Sequence, residues 1–183
     1  RLLWLFEGFT SYYDDLQLVR SKCISEKRYL ELLANTWNSV LRNPGRLKQS
    51  VADSSFDAWT KYYQIDENTP NAVVSYYAKG SLIALGLDLL IRHHSMVKYS
   101  LDDVMRSLWK EHGKKGVGVN QYALDITITS VMGPSFNKTW HTFKKNYIEG
   151  TLDVPLQLWL PQIAGIEVAQ KQWGFVEELK LAL

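Results

Sequence analysis

The spacing of apolar residues is the feature that most restricts what this chain can fold into. From Leu3 to about Ser21, apolar side chains recur at steps of three and four residues, as they do on one face of an amphipathic helix. Similar spacing predicts helices from Ser25 to about Arg42 and over 71–92, 100–111, 121–131 and 134–147. The alternation typical of strands is almost absent. We therefore expect a mainly α fold.

Local sequence signals set the predicted helix boundaries. Ser25 is expected to be an N-cap, and residues 43–45, Asn-Pro-Gly, are expected to end the helix that follows it. Thr69 and Pro70 read as the N-cap and first position of one continuous central helix that runs to Arg92. The aromatic segment 51–63 is expected to be a short helix or turn packed beneath the larger body.

Composition excludes several classes of protein. The 183 residues carry a formal net charge of +2, which gives no electrostatic basis for a nucleic-acid partner. A single cysteine, Cys23, can form neither an intramolecular disulfide nor a four-thiolate zinc site, so a bound metal would need His, Glu or Asp. The most apolar stretch, 81–87, is far shorter than the roughly 20 residues of a membrane span. We expect no membrane partner.

The helical pattern of the sequence becomes interrupted after Gly150. Pro155, Pro161 and Gly165 punctuate a short helix, and residues 166–169 could form a single strand. We divide the chain into a helical body, 1–168, and a segment 169–183 that is a tail or the start of a following module. The first residue is not Met, which predicts that the chain lies inside a larger polypeptide.

The histidines do not form a metal-binding pattern. None of the four lies in a His-Glu-x-x-His sequence, which points two imidazoles at one metal from successive helical turns. His93 and His94 are adjacent, so on a helix their side chains diverge by roughly 100°. We expect His93 and His94 to lie at a helix C-terminus, where imidazoles meet exposed carbonyls, and His112 and His141 to have surface or packing roles.

Glu7 is the residue whose surroundings are hardest to explain as packing. It lies within an apolar run, 2–9, where a carboxylate is partly desolvated and needs a cation or hydrogen-bond donors. An ion pair with Arg or Lys and simple exposure at the helix start are the ordinary alternatives.

A second unusual cluster interrupts the most apolar predicted helix at 76–80, Tyr-Tyr-Ala-Lys-Gly. Gly80 costs a helix about 1 kcal/mol relative to Ala, which indicates close approach by another backbone or a ligand. The alternative is a helix–helix contact with the tyrosine hydroxyls bonded at its edge.

These two clusters resemble a known family. Residues 3–16, LWLFEGFTSYYDDL, resemble the segment that carries the third zinc ligand in the glycyl aminopeptidases, and are a longer version of the Asn-Glu-Gly-Phe-Ala motif of aminopeptidase N. Residues 71–80, NAVVSYYAKG, resemble the Tyr-x-Lys-Gly segment of both families. The resemblance continues at 87–92, 101–106 and 147–151, and covers residues 2 to about 168.

The resemblance implies a role for each of these motifs. It implies the helical C-terminal half of a thermolysin-like (gluzincin) catalytic domain with orthogonally packed helices, in which Glu7 binds zinc and Tyr77 stabilises the transition state. In the family, a His-Glu-x-x-His helix upstream supplies the other two ligands and the general base, and this chain begins just before the Glu-Gly-Phe segment. The implied partners are a peptide substrate and the upstream half of the catalytic domain. A PDZ-like domain often follows, and 173–183 could be its first fragment.

Helix geometry adds three candidate residues around Glu7. Thr10, Ser11 and Asp14 lie at i+3, i+4 and i+7 from Glu7, from where they could support its carboxylate.

Two functions remain open from the sequence. The first is a fragment of a zinc aminopeptidase that hydrolyses N-terminal peptide bonds and is inactive on its own; the second is a non-catalytic helical interaction or dimerisation module derived from a peptidase. The truncated chain is expected to self-associate, because Trp4, Phe6 and Phe9 would lose the upstream helix that covers them.

Overall fold

Short connections join a series of helices in the computed structural model, which describes residues 1–173 and 176–182. The α-helices are α1 Leu3–Arg20, α2 Glu26–Leu41, α3 Val51–Phe56, α4 Thr69–Ala72, α5 Ala78–His94, α6 Leu101–Glu111, α7 Ala123–Met132, α8 Asn137–Phe143 and α9 Leu156–Trp159. Short 3₁₀ turns lie at Pro44–Leu47, Gly113–Lys115 and Pro134–Phe136, and π turns at Ala58–Tyr62, Lys144–Ile148 and Leu160–Ala164. The predicted mainly α fold is confirmed.

Capping side chains fix several of the predicted boundaries. The Ser25 side chain accepts a hydrogen bond from the Arg28 amide at 3.2 Å and starts α2 where predicted. Asp103 accepts a hydrogen bond at 2.9 Å from the amide of Ser100, the residue before α6.

The predicted continuous helix over 71–92 is wrong. The chain leaves α4 at Val73, which is extended (φ −116°, ψ 139°), and α5 begins only at Ala78. Side chains from elsewhere bind the backbone of this break: Val74 N donates to Gln49 Oε1 at 3.1 Å, and Ser54 Oγ donates to Val74 O at 2.5 Å. These bonds satisfy the backbone groups that a continuous helix would have paired. Thr69 is the first residue of α4 and not its N-cap, which is Asn68.

The aromatic segment 51–63 is less buried than expected. Val51 and Ala58 are fully buried, but Phe56, Trp59 and Tyr63 are 63%, 75% and 51% exposed. The expectation that these three rings pack beneath the body is therefore wrong, although α3 and the π turn that follows it agree with a short helix or turn.

Helix α5 forms the centre of the molecule. Ile83, Leu87 and Ile91 are fully buried on it, and it packs against α1, α2 and α6. Its buried Asp88 accepts hydrogen bonds from Tyr12 Oη at 2.8 Å and from the Leu101 amide at 2.7 Å, besides an ion pair with Arg92. One satisfied carboxylate thus joins α1, α5 and the start of α6.

A β-hairpin follows the helices. Strands β1 Glu167–Trp173 and β2 Val176–Ala182 pair antiparallel with Glu167 opposite Ala182, and β2 lies against α2. The strand predicted at 166–169 is therefore the beginning of a longer, paired strand. The division of the chain at residue 168 stays a prediction.

In the described part of the chain, no helix is both long enough and apolar enough to cross a membrane.

Candidate active site at the crossing of α1 and α5

Two glycines allow α1 and α5 to cross in backbone contact. A Cβ atom added to Gly8 would lie 2.7 Å from the Cα of Gly80, and one added to Gly80 would lie 3.0 Å from the Cα of Gly8. Any larger residue at Gly8 would force the helices apart. The close approach predicted at Gly80 is confirmed, and its partner is the backbone of α1.

Near the crossing, the charge of Glu7 acts on two tyrosines. Glu7 is half-buried, and among the described residues its carboxylate has neither an ion pair nor a hydrogen bond. A hydrogen bond with Tyr63 and burial raise the pKa of Tyr77, and the nearby negative charge of Glu7 raises it further. The charge of Glu7 acts on Tyr63 as well. The structure thus places the predicted ligand Glu7 within electrostatic range of the predicted catalytic Tyr77.

Tyr76 and Tyr77 lie in the turn before α5 and not on the helix. Their rings stack with centroids 4.7 Å apart and an angle of 28° between planes. Tyr76 is 1% exposed, whereas Tyr77 is only partly buried. On a helix, two adjacent side chains would diverge by about 100°, but in this turn the two rings lie face to face. Tyr77 is the member of the pair that a substrate can reach.

The buried Lys79 side chain anchors the start of α5 to distant parts of the chain. Its side chain is 2% exposed, and Nζ donates hydrogen bonds to Arg46 O at 3.0 Å and to Thr151 O at 2.8 Å. It also forms an ion pair of 3.1 Å with Asp153, which is paired with Arg46 as well. Burial lowers the pKa of Lys79, although the Asp153 carboxylate opposes the effect. These contacts hold Lys79 in the fold and fix the residues just before it.

Thr10, Ser11 and Asp14 are not hydrogen-bonded to Glu7 in the part of the chain that the structure describes. The Thr10 hydroxyl donates to Phe6 O within α1 at 2.6 Å. Asp14 is exposed, and Ser11 lines a small cavity together with Asp15 and Tyr29. Their support of the Glu7 carboxylate stays a prediction.

No complete metal site lies in the part of the chain that the structure describes. Across residues 1–173 and 176–182, no group of three or more His, Cys, Asp or Glu side chains could hold a metal. His94 packs edge-on against Phe136 with ring centroids 5.0 Å apart, and His112 Nδ1 lies 3.3 Å from Gly118 O. Glu7 fits a metal ligand because it is a partly desolvated carboxylate without a cation, but the remaining ligands must come from elsewhere.

A large groove runs between α1 and α6 on the side of Phe6. Its volume is about 860 Å³, and its lining includes Phe6, Met105 and Trp109. Phe6 and Trp109 are 48% and 63% exposed, but Trp4 and Phe9 are only 5% and 2% exposed. The expectation that this chain leaves Trp4 and Phe9 uncovered is therefore wrong, and only Phe6 of the three is exposed.

Tyr63 is a site residue that the sequence reasoning missed. Its hydroxyl lies 3.2 Å from that of Tyr76 and 3.5 Å from that of Tyr77. Hydrogen bonds with Tyr76 and Tyr77 lower the pKa of Tyr63. The run of aromatic residues at 59–63 is the available sequence signal, but such a run predicts packing, and the proximity of Tyr63 to Tyr77 depends on the fold.

Two comparisons with known proteins find similarity to peptidases. Residues 1–83 match the model of the M61 glycyl aminopeptidases. A solved structure from Idiomarina loihiensis, described as an aminopeptidase N family protein, is 43% identical to the chain and superposes with a TM-score of 0.84. The match covers 92% of this chain and 28% of that one, so the chain spans little more than a quarter of the protein it resembles. No curated protein matches the chain.

Proposed function

We propose that the chain is the helical part of a zinc-dependent aminopeptidase of the M61 glycyl aminopeptidase family, with Glu7 as a metal ligand and Tyr77 as a catalytic residue. One observation carries the proposal: Glu7, whose carboxylate has no ion pair among the described residues, lies near enough to the partly buried Tyr77 for its charge to raise the pKa of that tyrosine, next to the contact of Gly8 with Gly80. A purely structural helix crossing needs neither group.

The proposed reaction is hydrolysis of the N-terminal peptide bond of a peptide. The family description and the aminopeptidase N family neighbour support this class of substrate. The chain has one candidate ligand, so the other ligands and the general base would come from the rest of the protein, on a His-Glu-x-x-His helix of thermolysin-like (gluzincin) type. The chain alone is then inactive.

Zinc, when bound, would polarise the scissile carbonyl and activate a water molecule. Glu7 contributes one oxygen ligand and one negative charge. The Gly8–Gly80 contact fixes α1, which carries Glu7, against α5. The Tyr77 hydroxyl donates a hydrogen bond to the substrate oxygen as negative charge develops there. Because the turn carrying Tyr77 is held by Gln49, Ser54 and Lys79, this donor is already in place before the charge appears.

We place the upstream half of the catalytic domain against the groove between α1 and α6. Phe6, next to Glu7 in the chain, lines that groove together with exposed Trp109. An element covering these rings would lie beside Glu7 and could bring further ligands to it.

The test uses the full-length protein and the variant Glu7→Gln, which keeps the side-chain volume and removes the charge. We expect the wild type to contain zinc and to hydrolyse glycyl-p-nitroanilide, and to lose activity when a chelator removes the metal. Glu7→Gln should lose both zinc and activity while its melting curve stays cooperative. Glu31→Gln, which changes an exposed carboxylate on α2, should keep both.

Normal zinc content and rate in Glu7→Gln would show that the ligand is another residue. A full-length protein with neither zinc nor hydrolysis would instead support the non-catalytic interaction module.

A further inference from the structure

We infer that Tyr63 is a positioning residue that holds the hydroxyl of Tyr77 ready for catalysis through a direct contact between the two phenols. The inference rests on the proposed function of Tyr77. Tyr63 belongs neither to α1, which carries Glu7, nor to the turn that carries Tyr77, but follows the π turn Ala58–Tyr62. Its hydroxyl nevertheless lies 3.5 Å from that of Tyr77.

The position of Tyr63 is fixed by its own neighbours. The Trp59 ring stacks on the Tyr63 ring with centroids 5.1 Å apart, and the Tyr62 ring meets it edge-on at 5.3 Å. The Tyr62 hydroxyl lies 3.2 Å from Ser75 Oγ, and the Tyr62 ring packs on that of Tyr76 at 4.8 Å. The segment that carries Tyr63 is thus fastened to the turn that carries Tyr77.

The length of the phenol contact fits a donor that must change partners. Hydrogen bonds between hydroxyls are usually about 2.7–2.8 Å long. At 3.5 Å, Tyr63 orients the Tyr77 hydroxyl but binds it only weakly. Catalytic hydrogen bonds are often long in the free enzyme and shorten in the substrate complex. The Tyr77 hydroxyl can therefore turn towards a substrate oxygen at little cost.

Tyr63 can also act once the substrate is present. When Tyr77 donates to the negatively charging substrate oxygen, its own oxygen becomes a better acceptor for the Tyr63 hydroxyl, because hydrogen bonds in a chain polarise one another. Both protons remain on their tyrosines, so the step needs no further acid or base. Tyr63 then stabilises the transition state only through Tyr77.

The experiment is a double-mutant cycle in the full-length enzyme with glycyl-p-nitroanilide, using Tyr63→Phe, Tyr77→Phe and the double variant. We expect Tyr63→Phe to lower kcat about tenfold, the equivalent of one hydrogen bond, and to leave KM within about twofold. In the Tyr77→Phe background, adding Tyr63→Phe should change kcat no further. Such non-additivity identifies residues that act as one unit.

Tyr122→Phe is the control. It removes an exposed hydroxyl that bonds neither Tyr63 nor Tyr77, so kcat should stay at the wild-type value. Wild-type kcat in Tyr63→Phe, or losses that multiply in the double variant, would overturn the inference while Tyr77→Phe still supports the proposed function. Full kcat in Tyr77→Phe would instead overturn the proposed role of Tyr77 and, with it, the inference.

Discussion

The backbones of Gly8 and Gly80 touch where α1 crosses α5, and this contact sets the distance between Glu7 and Tyr77. Glu7 directly precedes one glycine, and Tyr77 lies three residues before the other. Glu7 lies on α1, and Tyr77 directly precedes α5. The two helices can approach this closely only because Gly8 and Gly80 have no side chains.

Replacing Gly8 by Ala should destabilise the protein by about 1–3 kcal/mol, the range for overpacking a close contact. The new Cβ would lie 2.7 Å from the backbone of Gly80, which has no flexible end that could move aside. Urea unfolding measures the change. Helix propensity alone would predict the opposite sign, a gain of about 1 kcal/mol.

Gly118→Ala is the control for this substitution, because a Cβ at Gly118 meets no atom within 4 Å. Its free energy of unfolding should stay within about 0.5 kcal/mol of the wild type. A Gly8→Ala protein as stable as wild type would show that the helices can separate without cost.

Tyr77→Phe in the full-length enzyme should lower kcat by roughly 10²–10³, the range for losing one preorganised donor to a developing oxyanion. KM should barely change, because the bond forms only in the transition state. Steady-state kinetics beside a thermal melt separates this from a packing effect. Tyr122→Phe, which changes a phenol that is 59% exposed, should behave as wild type in both measurements.

Lys79→Met should destabilise the fold by about 3 kcal/mol, because it leaves two carbonyl oxygens and part of the Asp153 charge unpaired at a buried position. Chemical denaturation measures the loss. Lys61→Met breaks an exposed pair with Asp57 and should cost less than about 1 kcal/mol. Equal losses in the two variants would contradict the anchoring role of Lys79.

Asp102 should contribute stability that is lost in acid. Burial opposes its ionisation, but hydrogen bonds from Tyr13 and Arg20 outweigh burial and lower the pKa of Asp102. A carboxyl with a lowered pKa in the folded state stabilises the fold above its unfolded pKa of about 4, and this contribution disappears as the pH falls through the folded pKa.

Asp102→Asn should therefore reduce stability at pH 7 by about 1 kcal/mol or less, given the partial exposure of the group. Below about pH 4, the difference between wild type and variant should shrink. Melting temperatures of this chain at a series of pH values test the expectation, and a constant difference at every pH would contradict it.

This chain by itself should bind zinc weakly and hydrolyse no aminoacyl substrate, because one carboxylate supplies one ligand where a catalytic zinc needs three. It should also self-associate through the groove between α1 and α6, where Phe6 and Trp109 are exposed. Metal analysis after zinc incubation and sedimentation at several concentrations check the two statements.

Trp109→Gln should weaken the self-association and leave zinc binding unchanged. A tight stoichiometric zinc site in this chain would mean that other residues are the ligands.

Features encoded by neighbouring residues could be predicted from the sequence. The start of α2 at Ser25 depends on a side chain that bonds an amide three residues later, so the local pattern was sufficient. The break before α5 was missed because the bonds that hold Val74 come from Gln49 and Ser54, which lie 25 and 20 residues away. Val73, Val74 and Ser75 were weak local signals for it, as two β-branched residues followed by a capping hydroxyl.

The candidate site was predictable only in part. Glu7 and Tyr77 were identified by resemblance to a family, since spacing alone cannot place residues 70 positions apart beside each other. Tyr63 was missed because its position near Tyr77 depends on the π turn that precedes it, and no periodic sequence pattern predicts such a turn.

The bonds of Lys79 bear on the order in which the protein folds. They connect the start of α5 to residues 33 and 72 positions away, so the turn bearing Tyr77 is completed only after distant parts of the chain have met. Closing such long loops is slow compared with forming a helix. During synthesis, the helices would form first, and Tyr77 would be fixed only after Thr151 has been made and has reached the start of α5.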